Sequence, residues 1–338
     1  MMEARREKDQ WKRADQLWGG KNNAFVVGLA LLVLALLPLF LSDFLVVFAT
    51  EMLIMALFAL SFNLLFGYTG LLSFGHAAYF SIGAYTAGLI LSHVTPSLLL
   101  AFSIAIAFSV LAAFAIGFFC VRLDEIYFAM LTLAFGMMVH ALLWKWDSLT
   151  GGADGLVGIP RPEINLLIAT IDLSSIPSYY YLTLVVVGVS VLILWIISQS
   201  PFGLVLKSIR ENHERVEFVG ISMRRYRLGA FVISGLFCGV AGALFAPFER
   251  SIAPDIAFWT KSAEPVFMSL LGGTKVFFGP AVGASIFMYL REIISGYTEL
   301  WMIYLGAILI SFVIFLPGGI LGYISEKMEA AKRDTTQE

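Results

Sequence analysis

Few residues of this chain have the types and spacing that bond-making chemistry needs. Its four histidines, His76, His93, His140 and His213, are scattered and show no metal-ligand spacing. No His-x-x-x-His pair, no Ser/His/Asp set and no paired acids within the apolar segments point to an enzyme. Gly272-Gly273-Thr274-Lys275 lacks the earlier glycine that a phosphate-binding loop requires, so no ATP-hydrolysing site is expected. Cys120 and Cys238 sit in apolar surroundings and read as neither disulfide partners nor metal ligands.

The polar residues that stand out do so by their place. Glu51 falls well inside an apolar run, where a carboxylate costs roughly 3 kcal/mol and must face protein or water. It either lines a solute path, pairs with the region of His76, or is a neutral, hydrogen-bonded structural group. Gly67 to His76 places three glycines, Tyr68, Thr69, Ser73 and His76 between hydrophobic runs, and Leu271 to Pro280 interrupts the chain in the same way at Gly272 and Gly273. Irregular backbone at membrane depth is tolerated where it is buried in protein or lines a cavity, and paired interruptions point to a transport pathway. Glu51, Tyr68, Ser73, Gly75, His76, Tyr79, Gly272 and Gly273 are therefore the candidate pathway residues; the alternative is two tight loops at one face. Small residues follow the breaks, at Ala77, Ser81, Ala84 and Gly88 and at Gly279 and Gly283, with a third set at Gly235, Gly239 and Gly242. They let helix backbones approach closely in lipid.

The elements that must position these residues follow from composition. Of 338 residues, 59% are hydrophobic and 14% charged, against about 25% charged in a soluble domain. Ala24 to Val121 contains only Asp43 and Glu51 as charges, so the chain is read as an all-α polytopic membrane protein. The apolar stretches predict crossings near 25–41, 45–66, 76–94, 98–119, 126–146, 180–198, 228–248, a short one at 262–274, then 277–295 and 299–317. That is about eight to ten transmembrane helices with broken or re-entrant segments. Placing both termini in the cytoplasm puts 17 Lys and Arg inside and three, Arg161, Arg250 and Lys261, in outer loops, with Lys145 and Arg291 snorkelling at outer span ends. The chain then divides into a cytoplasmic N-terminal segment 1–24, a transmembrane domain 25–322 with a cytoplasmic loop 199–227, and a cytoplasmic tail 323–338. Trp11, Ala14 and Trp18 recur among basic residues, as in a helix lying on the inner membrane surface or a frayed basic tail. The loop from Asp147 to Ser178 carries four acids and one base and reads as external. A net charge of −2 suggests no nucleic-acid partner.

The one large cytoplasmic segment opens with Ser200-Pro201. From Leu206 to Gly220 it alternates acids and bases over an apolar side of Leu206, Ile209, Val216 and Val219. This predicts a short amphipathic helix ending at Gly220, which is a docking element for a soluble partner. Glu214 with Gly220 six residues on resembles the Glu-Ala-Ala-x-x-x-Gly loop by which ABC importer permeases contact their ATPases, with Arg215 and Val216 in place of the two alanines. Together with Gly67 to Leu89, Tyr127 to Ala134, Leu149 to Leu156 and Leu270 to Gly283, it makes the chain resemble the LivM-type branched-chain amino acid permeases over roughly residues 45–322.

That resemblance implies a non-catalytic, multi-pass subunit of the inner membrane that binds no cofactor itself. ATP and Mg would be used by two cytoplasmic ATP-binding subunits. A second LivH-type permease and a periplasmic or lipoprotein solute-binding protein would complete the assembly. Lys207, Arg210, Glu211, Glu214 and Gly220 would couple the chain to the ATPases. Leucine, isoleucine and valine are the implied solutes; urea or short-chain amides are the alternative, and an ion-coupled secondary transporter is a further one.

Overall fold

The computed structural model describes residues 21–161, 164–166, 169–316, 318–324 and 327. The Trp11–Trp18 stretch and nearly all of the tail beyond Ile324 lie outside the described residues. Among the described residues these α-helices follow in order: α1 Lys21–Phe40, α2 Asp43–Thr69, α3 His76–Leu89, α4 Leu98–Cys120, α5 Glu125–Lys145, α6 Asp147–Thr150 and α7 Ile176–Gln199. Then come α8 Pro201–Glu211, α9 His213–Phe218, α10 Met223–Glu249, α11 Trp259–Gly272, α12 Gly279–Tyr297 and α13 Trp301–Phe315. Each of the ten apolar stretches predicted from sequence coincides with one of these helices. Among the described residues seven are long and apolar enough to cross a membrane: α2, α3 with its π-helical continuation Ile90–Val94, α4, α5, α7, α10 and the stretch beginning with α13. The chain is a multi-pass membrane protein.

Burial sorts these helices into a centre and a rim. The most apolar window of α10 is 72% buried, that of α3 67% and that of α2 56%, against 28% for each of α4, α5 and α7. Small residues are the cause. A Cβ on Gly83 of α3 would run into the Gly239 carbonyl of α10, and one on Gly242 into the Phe80 carbonyl, so these backbones touch where side chains would hold them apart. The rim helices turn large side chains outward, as with Phe114 of α4 (53% exposed) and Val185 of α7 (63%), which is the arrangement lipid favours.

Helix irregularities are compensated by side chains. Pro38 lacks the amide that would bond the Leu34 carbonyl, and the Tyr180 hydroxyl of α7 donates to that oxygen instead at 2.7 Å. Beyond α5, Leu156–Val157 (β1) pairs antiparallel with Ser251–Ile252 (β4), and Ile164–Leu166 (β2) with Ala169–Ile171 (β3). Arg161 then closes the C-terminal end of α10, its Nε and Nη2 donating to the Pro247 and Phe248 carbonyls at 2.8 and 2.7 Å. A guanidinium there meets the negative end of the helix.

Candidate functional site

The charged loop folds from local rules. The Ser200 hydroxyl accepts from the Gly203 amide at 3.5 Å and Pro201 opens α8, whose missing amide is no loss at that position. The single amphipathic helix expected over 206–220 is instead two. Asn212 is extended at φ −165°, and its Oδ1 accepts from the Arg215 amide at 3.0 Å, so its side chain caps a second helix in place of continuing the first. Leu206, Ile209 and Val216 are buried as expected; Val219 is not, at 78% exposure, because the new helix points its end away from the bundle. Termination at Gly220 holds. Its φ of +85° lets its amide donate to the Glu217 carbonyl at 2.9 Å and that of Ile221 to the Val216 carbonyl at 3.3 Å. Glu211, Glu214 and Gly220 are exposed, beside Phe218 at 89%.

Lys207 and Arg210 point the other way, into the bundle. The Arg210 guanidinium donates to the Gly67 and Phe66 carbonyls at the end of α2, and the Lys207 ammonium lies 5.4 Å from the centre of the Tyr68 ring. The last carbonyls of a helix have no partner within it and carry negative partial charge, so a cation completes them. The same end of α2 holds the second break. The Asn63 amide donates to the Thr274 carbonyl at 3.1 Å, and a Cβ on Gly67 would lie 2.6 Å from that oxygen. Gly272 and Gly279 meet backbone to backbone, and Gly273 at φ +109° packs on Gly318 and Gly319.

The first break rises from this end beside the middle of α5. The Phe74 amide donates to Thr132 Oγ1 of α5 at 3.2 Å, the Gly75 amide to Ser73 Oγ at 3.3 Å, and the Ala77 amide to Ser262 Oγ of α11 at 2.9 Å. Ser73, Gly75 and His76 are buried, so this is interior backbone and not a surface loop. Ser234 of α10 gives its proton to the Ser61 carbonyl at 2.6 Å; His76 Nε2, 2.8 Å from that hydroxyl, is therefore the donor to it. Tyr79 packs edge-on against Phe231 with ring centres 5.6 Å apart, among α3, α4 and α10, away from the second break.

The eight pathway candidates thus fall in three places. Tyr68, Gly272 and Gly273 gather at the α8 end of α2; Ser73, Gly75, His76 and Tyr79 form the packed interior. Glu51 is sixteen residues before Gly67, about 24 Å along the helix toward the opposite end. There it meets residues that the sequence reading did not select: Arg291 Nη1 at 4.0 Å, with Lys261 bonded to Glu264 at 2.7 Å nearby. The signal was present as charges inside short apolar helices, but Lys261 reads as an outer-loop base and Arg291 as a snorkelling one. Among the described residues no three His, Cys, Asp or Glu side chains gather as metal ligands. An apolar cleft of about 830 Å³ opens between α4, α7 and α10, lined by residues such as Phe102, Val189 and Phe237, and none of the candidates reaches it.

Comparison with known proteins follows the same outline. The family model described as the permease component of branched-chain amino acid transport systems matches residues 44–313. The high-affinity branched-chain amino acid transport system permease protein LivM of Escherichia coli K12 is 30% identical over 262 residues, 72% of this chain and 62% of that protein. LivM of Salmonella typhimurium gives the same identity and coverage, so the match spans less than two thirds of these relatives' own length. The guanosine ABC transporter permease protein NupQ of Bacillus subtilis is 26% identical over 136 residues, 37% of this chain and 41% of that protein. No solved structure matches significantly.

Proposed function

The chain belongs to the family of permease components of branched-chain amino acid transport systems, and from that premise we propose that it is the membrane subunit of an ATP-driven importer of leucine, isoleucine and valine. It works in the inner membrane, paired with a second, LivH-type permease. Two ATP-binding subunits hydrolyse Mg-ATP on the cytoplasmic side, and a solute-binding protein delivers from outside. This chain supplies no catalytic group of its own.

One observation carries the reading: the end of α2 joins the charged segment to the second break, with Arg210 of α8 on its last carbonyls and the Thr274 carbonyl of the second break accepting from Asn63. A force on the exposed residues Glu211, Glu214, Phe218 and Gly220 reaches α2 through Arg210 and Lys207. From α2 it passes to both interrupted segments, whose close glycine contacts admit discrete repacking and no gradual stretch. Hydrogen bonds to a charged group are worth about 1.5–3 kcal/mol, enough to hold α2 and α8 together as they move.

The test is purification of the assembly from native membranes and reconstitution with its binding protein. ATP-dependent uptake of leucine, with two ATPases and a second permease recovered, is the expected result. NupQ, a guanosine permease, shows that sequence likeness extends across solutes, so urea, a short-chain amide and guanosine belong in the same screen. Recovery of the chain alone, with ion-driven uptake, would replace this reading with that of a secondary transporter.

A further inference from the structure

At the end of α2 opposite α8, four charged side chains from three helices converge: Glu51 of α2, Lys261 and Glu264 of α11, and Arg291 of α12. Their side chains are 26%, 13%, 20% and 37% exposed, neither locked in the interior nor fully in solvent. The two ion pairs differ in kind. Lys261 and Glu264 are joined at 2.7 Å on one helix face, whereas Arg291 and Glu51 stand at 4.0 Å, loose enough for each to turn to another partner. Behind the charges lies the packed apolar core. The Lys261 ammonium is 3.9 Å from the buried Met55 sulfur and 5.9 Å from the ring centres of both Phe80 and Phe245.

The cluster presents charges of both signs, as do the ammonium and carboxylate of an amino acid. We propose that this cluster is the permease's own receiving site for the zwitterionic head of a branched-chain amino acid, an inference that rests on the transport reading above. Arg291 takes the α-carboxylate, for which its planar fork is suited, and Glu51 takes the α-ammonium, so the solute replaces the loose Arg291–Glu51 pair with two closer ones. The branched side chain lies on the side of Met55, Phe80 and Phe245, which are buried in the bundle and have to part to admit it. Lys261–Glu264 keeps its internal pair and sets the field around the site. Charges in membrane segments are otherwise expensive, and ionisable side chains kept there mark a candidate site for a polar solute.

The experiment is equilibrium binding of radiolabelled leucine to the permease–ATPase assembly in nanodiscs, with 4-methylpentanoate, which lacks the ammonium, and isoamylamine, which lacks the carboxylate, as competitors. Wild type should favour leucine over either analogue by about tenfold or more. Glu51→Gln should abolish the preference over 4-methylpentanoate alone, and Arg291→Gln the preference over isoamylamine alone. Arg291→Lys, which keeps the charge, should retain most of it and controls for folding. Unchanged discrimination in both variants, or no leucine binding to wild type, overturns the proposal. ATP-driven leucine uptake by the complete wild-type system is measured in parallel: its absence defeats the functional reading, while its presence with unchanged discrimination defeats only the receiving site.

Discussion

Arg210 shows how one side chain can belong to two parts of a machine. Its backbone is in α8 and its guanidinium is on the Gly67 and Phe66 carbonyls, and a Cβ added to Gly70 would lie 3.3 Å from its stem. Replacing it by Met keeps the stem and removes the bond to the helix end. We expect Arg210→Met to lower ATP-coupled uptake about tenfold while ATP hydrolysis continues, the loss of one charge-assisted contact of about 1.5 kcal/mol. Arg210→Lys should recover part of it; measured side by side, equal uptake in all three would remove Arg210 from the coupling route. Gly75 makes a different claim. A Cβ there would sit 2.5 Å from the Thr132 carbonyl, and no flexible side chain is available to yield. Gly75→Ala should destabilise the purified protein by about 1–3 kcal/mol, read as a lowered melting temperature. Gly188→Ala on α7 is the control, since nothing lies within 4 Å of its Cβ. An equal melting temperature for both would mean that the first break is not close-packed.

Among elements, long helices were legible and short ones were not. The ten apolar runs predict the ten longer helices because hydrophobic length is a property of the run itself. The division of the charged segment into α8 and α9 turns on one side chain, Asn212, choosing to cap, and periodicity alone cannot show that choice. Likewise, the sequence marks Glu51 as costly but cannot supply Arg291 as its neighbour, 240 positions away, because that pairing is made by the packing of α12 on α2. What sequence did mark correctly is that the helical stretch ends at Gly220. Gly220 has a left-handed φ of +85° and open space around its Cβ. Gly220→Trp therefore costs about 1–2 kcal/mol of local strain and fills only space where a partner would dock. Together with the exposed Glu214→Arg, it should uncouple ATP hydrolysis from uptake while the membrane domain stays folded. Normal uptake by both variants, at normal expression, would sink the docking role of α9.

For the whole molecule, the question is which way up the bundle stands. The geometry by itself defines two ends. One carries α8 and α9, the ion pair of Arg227 with Asp124 at 2.6 Å, and Gly318 and Gly319 packed on Gly273; the other carries β1, β4 and the Glu51 cluster. The sequence assignment counts 17 Lys and Arg on the cytoplasmic side against three in the outer loops, Arg210 and Arg227 of the first end among the 17, and short loops rich in Lys and Arg stay on the cytoplasmic side. A single substituted cysteine on each side decides the matter. Val157 on β1 is 77% exposed and Ser208 on α8 is exposed, with only α7 crossing between them, so the two positions must lie on opposite sides. The native Cys120 and Cys238 are buried and give little background. Val157→Cys should react with an impermeant maleimide in intact cells, and Ser208→Cys only after permeabilisation. The reverse pattern would invert the protein and place the Glu51 cluster at the exit, so that it would release the solute instead of receiving it. Labelling of both from outside would mean that α7 does not cross, and the burial of its Tyr179, Val187 and Leu194 against the bundle would then have to be explained by a helix lying along the membrane.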